Sequence, residues 1–292
     1  MHFTKMHGLG NDYLYVYGEV PENIEDLSIK LSDRHFGAGS DGMIYISPSD
    51  VADFKMRIFN ADGSEAKMCG NGIRCVGKYV YDKGYTDVTK ITVETLSGIK
   101  KLHLHLMGSV VGSVSVKMGK GEAKDDLLLE IDNKNACFTA QRYLIPVLND
   151  SDKKSNVYIS DDKFFVNAVP VSTGNPHAVV FVDDAENIPL SFLGPLCEHH
   201  EAFPDGVNTE FVEVLSRNEL RMRVWERGSG ITMACGTGAC ASAFASVKKK
   251  YCDYDTPIKV HLDGGTLVIT IASDETITME GPATTVYEGD YK

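Results

Sequence analysis

No stretch of the chain holds about 18 uncharged apolar residues, so no membrane-spanning helix is expected. Basic charge is scarce: 29 lysines and arginines stand against 41 aspartates and glutamates, a net charge of −12 at pH 7. That deficit excludes nucleic acid or an anionic membrane as the main partner, yet leaves room for a small anion held by backbone amides. Cysteine is limited to seven positions in 292 residues, 69, 75, 137, 197, 235, 240 and 252, with no Cys-x-x-Cys pair. An odd number in a long chain excludes a small disulfide-stapled secreted domain, and the missing pair argues against a zinc site, so no metal is expected. The opening residues Met1-His2-Phe3-Thr4-Lys5-Met6-His7-Gly8 lack the basic and apolar regions of a signal peptide and the arginine- and serine-rich character of a transit peptide. A cytoplasmic location with reduced thiols is therefore expected, each thiol being either packing or chemistry.

What is present reads as a globular protein: 43% hydrophobic and 24% charged residues, in a length that suggests about two domains. Short alternating stretches at 54–58, 101–106 and 220–225 predict strands, and 258–262 with 266–271 flank Asp263-Gly264-Gly265 as a hairpin. Helices are predicted over 21–33, 72–83, 191–201 and 238–250, the last alanine-rich and ending in three lysines. The glycine- and charge-rich residues 118–126 mark a domain boundary, and 149–162 reads as a surface loop.

An internal repeat organises the rest. Gly63-Ser64 is followed by Met68-Cys69-Gly70-Asn71-Gly72, and Gly228-Ser229 by Met233-Ala234-Cys235-Gly236-Thr237-Gly238. In both halves Cys-Gly-x-Gly leads into a helix, follows an alternating strand and precedes a hairpin-rich region. Duplication predicts an α+β fold of two pseudo-symmetric domains, each a bent, mainly antiparallel sheet wrapped around one central helix. The free N–H groups of a helix start favour a carboxylate, and a thiol placed there is expected to have a lowered pKa. Two such halves facing one another would bring two sulfurs to opposite sides of one carbon, where one removes a proton and the other returns a proton to the opposite face.

These motifs, taken with several others, resemble the diaminopimelate epimerase family. The resemblance runs through Lys5-Met6-His7-Gly8-Leu9-Gly10-Asn11-Asp12-Tyr13, then Phe59-Asn60-Ala61-Asp62-Gly63-Ser64 continuing to Cys75. It resumes at Thr173-Gly174-Asn175-Pro176-His177, Gly206-Val207-Asn208-Thr209-Glu210-Phe211 and Trp225-Glu226-Arg227 on to Cys240. It implies a cofactor-independent isomerase that interconverts LL- and meso-diaminopimelate for lysine and peptidoglycan-precursor synthesis, with a small-molecule substrate and a homodimeric assembly. It further implies domains of 1–120, with 276–292 returning to it, and 121–275. Cys69 and Cys235 would be acid and base. Asn11, Asn60, Asn175, Asn208, Glu226 and Arg227 would contact substrate, as would the backbone of Gly70, Asn71, Gly236 and Thr237. His177 and Glu226 would tune the thiols. Arg227 suits a distal carboxylate, asparagines suit a zwitterion, and Glu226 suits an ammonium group. The sequence departs from the family at Gly42, where many members carry glutamine after the aspartate, and residues 122–169 match poorly.

Cys75, Cys137, Cys197, Cys240 and Cys252 read as packing. Residues 37–42 imitate a dinucleotide loop but precede a strand, and residues 72–78 imitate a phosphate loop but continue into Tyr79. His103 and His105 share a strand face and read as an exposed or satisfied pair. A proline or hydroxyproline racemase on the same fold, and a thiol redox protein, are the rival readings.

Overall fold

The three alternating stretches lie in strands Phe54–Asn60, Gly98–Met107 and Glu219–Glu226. The predicted hairpin is formed by Pro257–Leu262 and Gly265–Ile271, with Leu262 opposite Gly265. The computed structural model describes residues 1–132, 156–160 and 163–292. Cys137 lies outside the described residues, as does most of 149–162. Of that expected loop, 157–160 instead form a strand paired with Lys163–Ser172.

Two units are formed, Met1–Met118 with Met279–Lys292, and Gly119–Thr278. In the first, His2–Gly8 pairs antiparallel with Asn11–Tyr17, which runs parallel to Gly42–Ser47. Gly42–Ser47 pairs antiparallel with Phe54–Asn60, which runs parallel to Lys90–Thr95, and Lys90–Thr95 pairs antiparallel with Gly98–Met107. A parallel pair requires a crossover, and helices supply both: α1 (Ile24–Ser32) and α2 (Gly70–Asp82).

The second unit repeats this order. Lys163–Ser172 pairs antiparallel with Pro176–Phe181, which is parallel to Asn208–Ser216, which is antiparallel to Glu219–Glu226. Glu219–Glu226 is parallel to Pro257–Leu262. The crossovers are α3 (Leu190–Glu198) and α4 (Gly236–Lys248). The chain is thus two α+β units of matching topology.

Register makes the match residue by residue. Phe59 pairs with Glu65, and Trp225 with Ile231, each ten residues before its cysteine at 69 or 235. Asn60 therefore corresponds to Glu226, Gly42 to Asn208 and, through the parallel pairs, Asn11 to Asn175. The repeated Gly-Ser dipeptides are one step out of this register, because the second half carries its extra residue between them and the cysteine.

Both central helices begin two residues earlier than their sequence pattern suggests, directly after the cysteine. The phosphate-loop imitation is explained by packing. A side chain at Gly72 would lie 2.7 Å from Ile44, and one at Gly77 would lie 2.8 Å from Leu104, so both glycines let strands approach the helix. Cys75, Cys197, Cys240 and Cys252 are buried, and burial pushes the thiols of Cys75 to about 11, Cys197 to about 12 and Cys252 to about 11. Arg74 is also fully buried. It stands five residues after Cys69, where Cys240 stands after Cys235, and donates to Gly70 O and Pro282 O.

Candidate active site

In the first unit, Cys69 is the N-cap of α2. Its extended backbone turns the sulfur back over the first turn, where Sγ accepts from Gly72 N at 3.3 Å. The thiol also donates to Asn11 Oδ1 at 3.2 Å. Asn11 starts its strand after a tight turn through Leu9 and Gly10, both with positive φ. Its amide orientation is fixed from behind, because Asn11 Nδ2 donates to Asp41 Oδ2 at 2.7 Å. Asp41 in turn accepts from Asp12 N and from Arg34, and Asp12 is paired with Arg34 and Lys5. Burial alone would raise the Asp12 carboxyl, but the Arg34 and Lys5 hydrogen bonds hold it below its ordinary value. Tyr13, beside Cys69, is kept protonated by burial.

Asn60 stands opposite Gly42 and donates to Ser64 Oγ at 3.1 Å. Gly42 has a φ of +153°, and a side chain there would begin 2.1 Å from Phe59 O. The glutamine contact common in the family is therefore excluded by this backbone. Gly42→Ala is expected to lose about 3 kcal/mol, seen as a melting temperature lower by about 5 °C in calorimetry. An unchanged melting temperature would contradict the clash.

In the second unit, Cys235 caps α4 in the same way, with Sγ accepting from Gly238 N at 3.4 Å and lying 3.5 Å from Thr237 Oγ1. Asn175 Nδ2 donates to Thr237 Oγ1 at 3.4 Å, and Asn175 Oδ1 lies 3.1 Å from His177 Nε2. His177 Nδ1 lies 2.7 Å from Glu210 Oε1, and both side chains are wholly buried. Glu226 is half-buried and accepts from Thr232 Oγ1. Burial raises the Glu226 carboxyl despite the Thr232 and Cys235 hydrogen bonds that favour its charge. Arg227 is exposed, its Nη1 donating to Asp205 O at 2.9 Å, and its stem lies over Gly206, where a side chain would meet it at 2.9 Å.

Asn208 differs from expectation in its surroundings. It is buried, and its amide accepts from Arg227 N and donates to Pro176 O. Its visible work is to hold the 226–228 segment against its neighbouring strand. Glu198 does the same from α3, accepting from Trp225 Nε1 at 2.6 Å and Gly228 N at 2.9 Å. Glu198, Thr232, Asp41, Tyr13 and Glu210 received no role from the sequence. Glu198 carried a signal, as an acid closing an otherwise apolar nine-residue helix.

The lowered thiol pKa expected at a helix start is not what Cys235 has. Burial, with the Glu226 and Glu210 carboxylates, pushes it well above its ordinary value, outweighing the Thr237 hydroxyl and the Gly238 N–H. Its thiolate fraction at neutral pH is therefore small and grows as pH rises. Alkylation of Cys235 by iodoacetamide, followed by peptide mass spectrometry, is expected to accelerate past pH 9. A plateau below pH 8 would contradict this.

Gly70, Asn71 and Gly236 are buried in the first turns, while Thr237 and Asn175 are partly exposed. His105 is engaged by Ser115 Oγ at 2.7 Å. Among the described residues no cluster of three or more His, Cys, Asp or Glu is arranged to hold a metal ion, and no helix is long and apolar enough to cross a membrane.

The model of the family described as diaminopimelate epimerase matches residues 3–124 and 169–286, leaving out most of the stretch that resembles the family poorly. A diaminopimelate epimerase of Methanococcus maripaludis is 49% identical over 293 residues, covering 99% of each chain. One from Agathobacter rectalis is 50% identical over 300 residues, again covering 99% of each. Among solved structures, a PhzF-family phenazine biosynthesis protein of Bacillus anthracis superimposes with a TM-score of 0.72 at 17% identity, covering 100% of this chain and 99% of that one. A probable proline racemase of Agrobacterium radiobacter gives 0.68 at 15% identity, covering 100% and 92%.

Proposed function

The chain belongs to the diaminopimelate epimerase family and is an isomerase, and we propose that it interconverts LL- and meso-diaminopimelate on the route to lysine, using Cys69 and Cys235 as its acid and base. One observation carries the reading. Each unit presents a cysteine sulfur as the cap of its central helix, in the same register, beside the N–H groups of the first helical turn.

In this reading the α-carboxylate of the substrate sits on the first-turn amides of Gly70, Asn71, Gly236 and Thr237, where dipole and N–H groups favour an anion. One sulfur, as thiolate, removes the α-proton, and the other, as thiol, protonates the opposite face. The roles exchange with direction. Arg227 takes the distal carboxylate and Glu226 an ammonium group, with Asn11, Asn60, Asn175 and Asn208 completing the polar surroundings.

The raised Cys235 thiol fits this scheme. The groups that hold it protonated are burial and two carboxylates. A substrate ammonium drawn to Glu226 offsets one of those charges, so ionisation becomes easier when substrate is bound.

The test is epimer formation and exchange of the α-hydrogen with solvent, measured with diaminopimelate, proline and hydroxyproline. Inversion of diaminopimelate alone is expected. Inversion of proline or hydroxyproline without diaminopimelate would replace the substrate assignment. Thiol redox chemistry without any inversion would replace the mechanism as well.

A further inference from the structure

The two halves share the cysteine cap but differ behind it. By strand register, His177 occupies the place of Tyr13, and Glu210 the place of Ile44. The first unit fills this position with an aliphatic side chain, so the fold itself has no need of an acid there. Glu210 is wholly buried, and its Oε2 has no hydrogen-bond partner. An ionisable group kept in such a place without full satisfaction calls for a reason. Room has been left for it: a side chain at Gly238 would stand 2.6 Å from Glu210 Oε1.

The hydrogen bonds from Glu210 to Cys235 form a chain with a direction. In this chain Glu210 accepts and His177 Nδ1, 2.7 Å away, donates. His177 Nε2 faces Asn175 Oδ1 at 3.1 Å, a contact that is a hydrogen bond only when Nε2 also carries a hydrogen, so the chain requires both ring nitrogens to donate; Thr173 Oγ1 donates to the same oxygen. With its carbonyl so engaged, Asn175 turns its Nδ2 to Thr237 Oγ1. The threonine oxygen then accepts, and its own hydrogen is left for Cys235 Sγ at 3.5 Å. The equivalent asparagine of the first unit is held the other way. Asp41 takes the Asn11 amide, and the carbonyl faces Cys69 and accepts from its thiol. Both sulfurs accept from a backbone N–H, but Cys69 also donates to the Asn11 carbonyl whereas Cys235 faces the Thr237 hydroxyl.

The geometry points to Glu210 as a positioning residue for the reaction proposed above: acting through His177 and Asn175, it turns the Thr237 hydroxyl to donate to the sulfur of Cys235. The chain transmits orientation, because an asparagine amide neither gains nor loses a proton in this range and cannot pass one along. The effect on Cys235 is to favour the thiolate over what burial alone would allow.

The inference rests on the acid–base reading for its importance but is tested apart from it. Glu210→Gln keeps the shape, and Glu210→Ile installs the residue that the first unit carries. Both are expected to fold, and in both the alkylation rate of Cys235 at fixed pH should fall, with kcat for epimerisation reduced about 10–100-fold and KM changed by less than about threefold. Thr237→Val should lower alkylation in the same way, and adding Glu210→Gln to it should lower it little further. If Glu210 acted only by its charge, removing it would speed alkylation of Cys235. A rise, or no change, in both variants overturns the inference. Should either variant fail to fold, nitrogen-15 spectroscopy of the unmodified protein decides: a His177 ring carrying hydrogen on both nitrogens supports the chain, and a bare Nδ1 or a bare Nε2 overturns it. A protein that shows the alkylation and ring signatures but does not invert diaminopimelate would refute the proposed function and leave this inference standing.

Discussion

Serine in place of Cys69 or of Cys235 is expected to reduce epimerisation by about 10²–10⁴-fold, the usual size of a lost proton-transfer group, with either change alone sufficient. Serine preserves the cap, since its hydroxyl accepts from the N–H of Gly72 or Gly238 as the sulfur does. What it lacks is acidity, because an alcohol is far harder to ionise than a thiol and can neither take nor deliver the α-proton at neutral pH. Stability should therefore stay close to that of the parent, which separates the chemical loss from unfolding. The two variants should remain competent for a reaction that needs only one base. Elimination of fluoride from a β-fluoro analogue needs proton removal at one face, so each variant should process the isomer whose proton faces its surviving thiol. Full epimerase activity in either variant would end the two-thiol assignment. Loss of elimination from both isomers in both variants would instead point to a shared structural role for the sulfurs.

Arg227→Met is expected to lower kcat/KM for diaminopimelate by about 100-fold, or about 3 kcal/mol, chiefly through KM. The guanidinium is the cation of this site. It is exposed, its backbone N–H is fixed by Asn208 and its Nη1 by Asp205 O, which leaves the other donors of the fork for a ligand. Arg227→Lys should recover only part of the loss, because an ammonium cannot reproduce a two-point contact with a carboxylate. Gly206→Ala provides an indirect check, since the added methyl would press on the arginine stem and shift the fork without removing it. An unaltered KM in Arg227→Met would assign the distal carboxylate to another group.

Much of this could be read from residues alone because the informative features are local. A cysteine followed by glycine, a variable residue and glycine is visible wherever it stands, and so are the alternating strands, whose period of two reflects one buried face. The sequence pattern sets both helix starts two residues late because cysteine is a rare cap, and glycines at 70, 72, 236 and 238 read as loop until their packing is seen. Glu210 lies inside the motif Gly206–Phe211, where nothing local gives it a role. Its meaning depends on His177 lying on the next strand and on Ile44 occupying the same position in the other unit, and neither relation has a signature in linear sequence. The thiol at 235 shows the same limit in energetic form. Spacing reveals the helix terminus that lowers a pKa, whereas burial and two nearby carboxylates, which prevail here, exist only after folding.

The strand Thr284–Asp290 closes the first unit by pairing with His2–Gly8. On a ribosome this gives the halves different histories. The chain of the second unit, Gly119–Thr278, is complete before the last strand of the first has been made. The half that is begun first is finished last, and until then the edge of His2–Gly8 that receives the closing strand lacks its partner. A nascent chain stalled before residue 284 should contain a finished second unit beside a first unit with an open edge. Such an edge is the kind of surface on which premature strand pairing and aggregation begin.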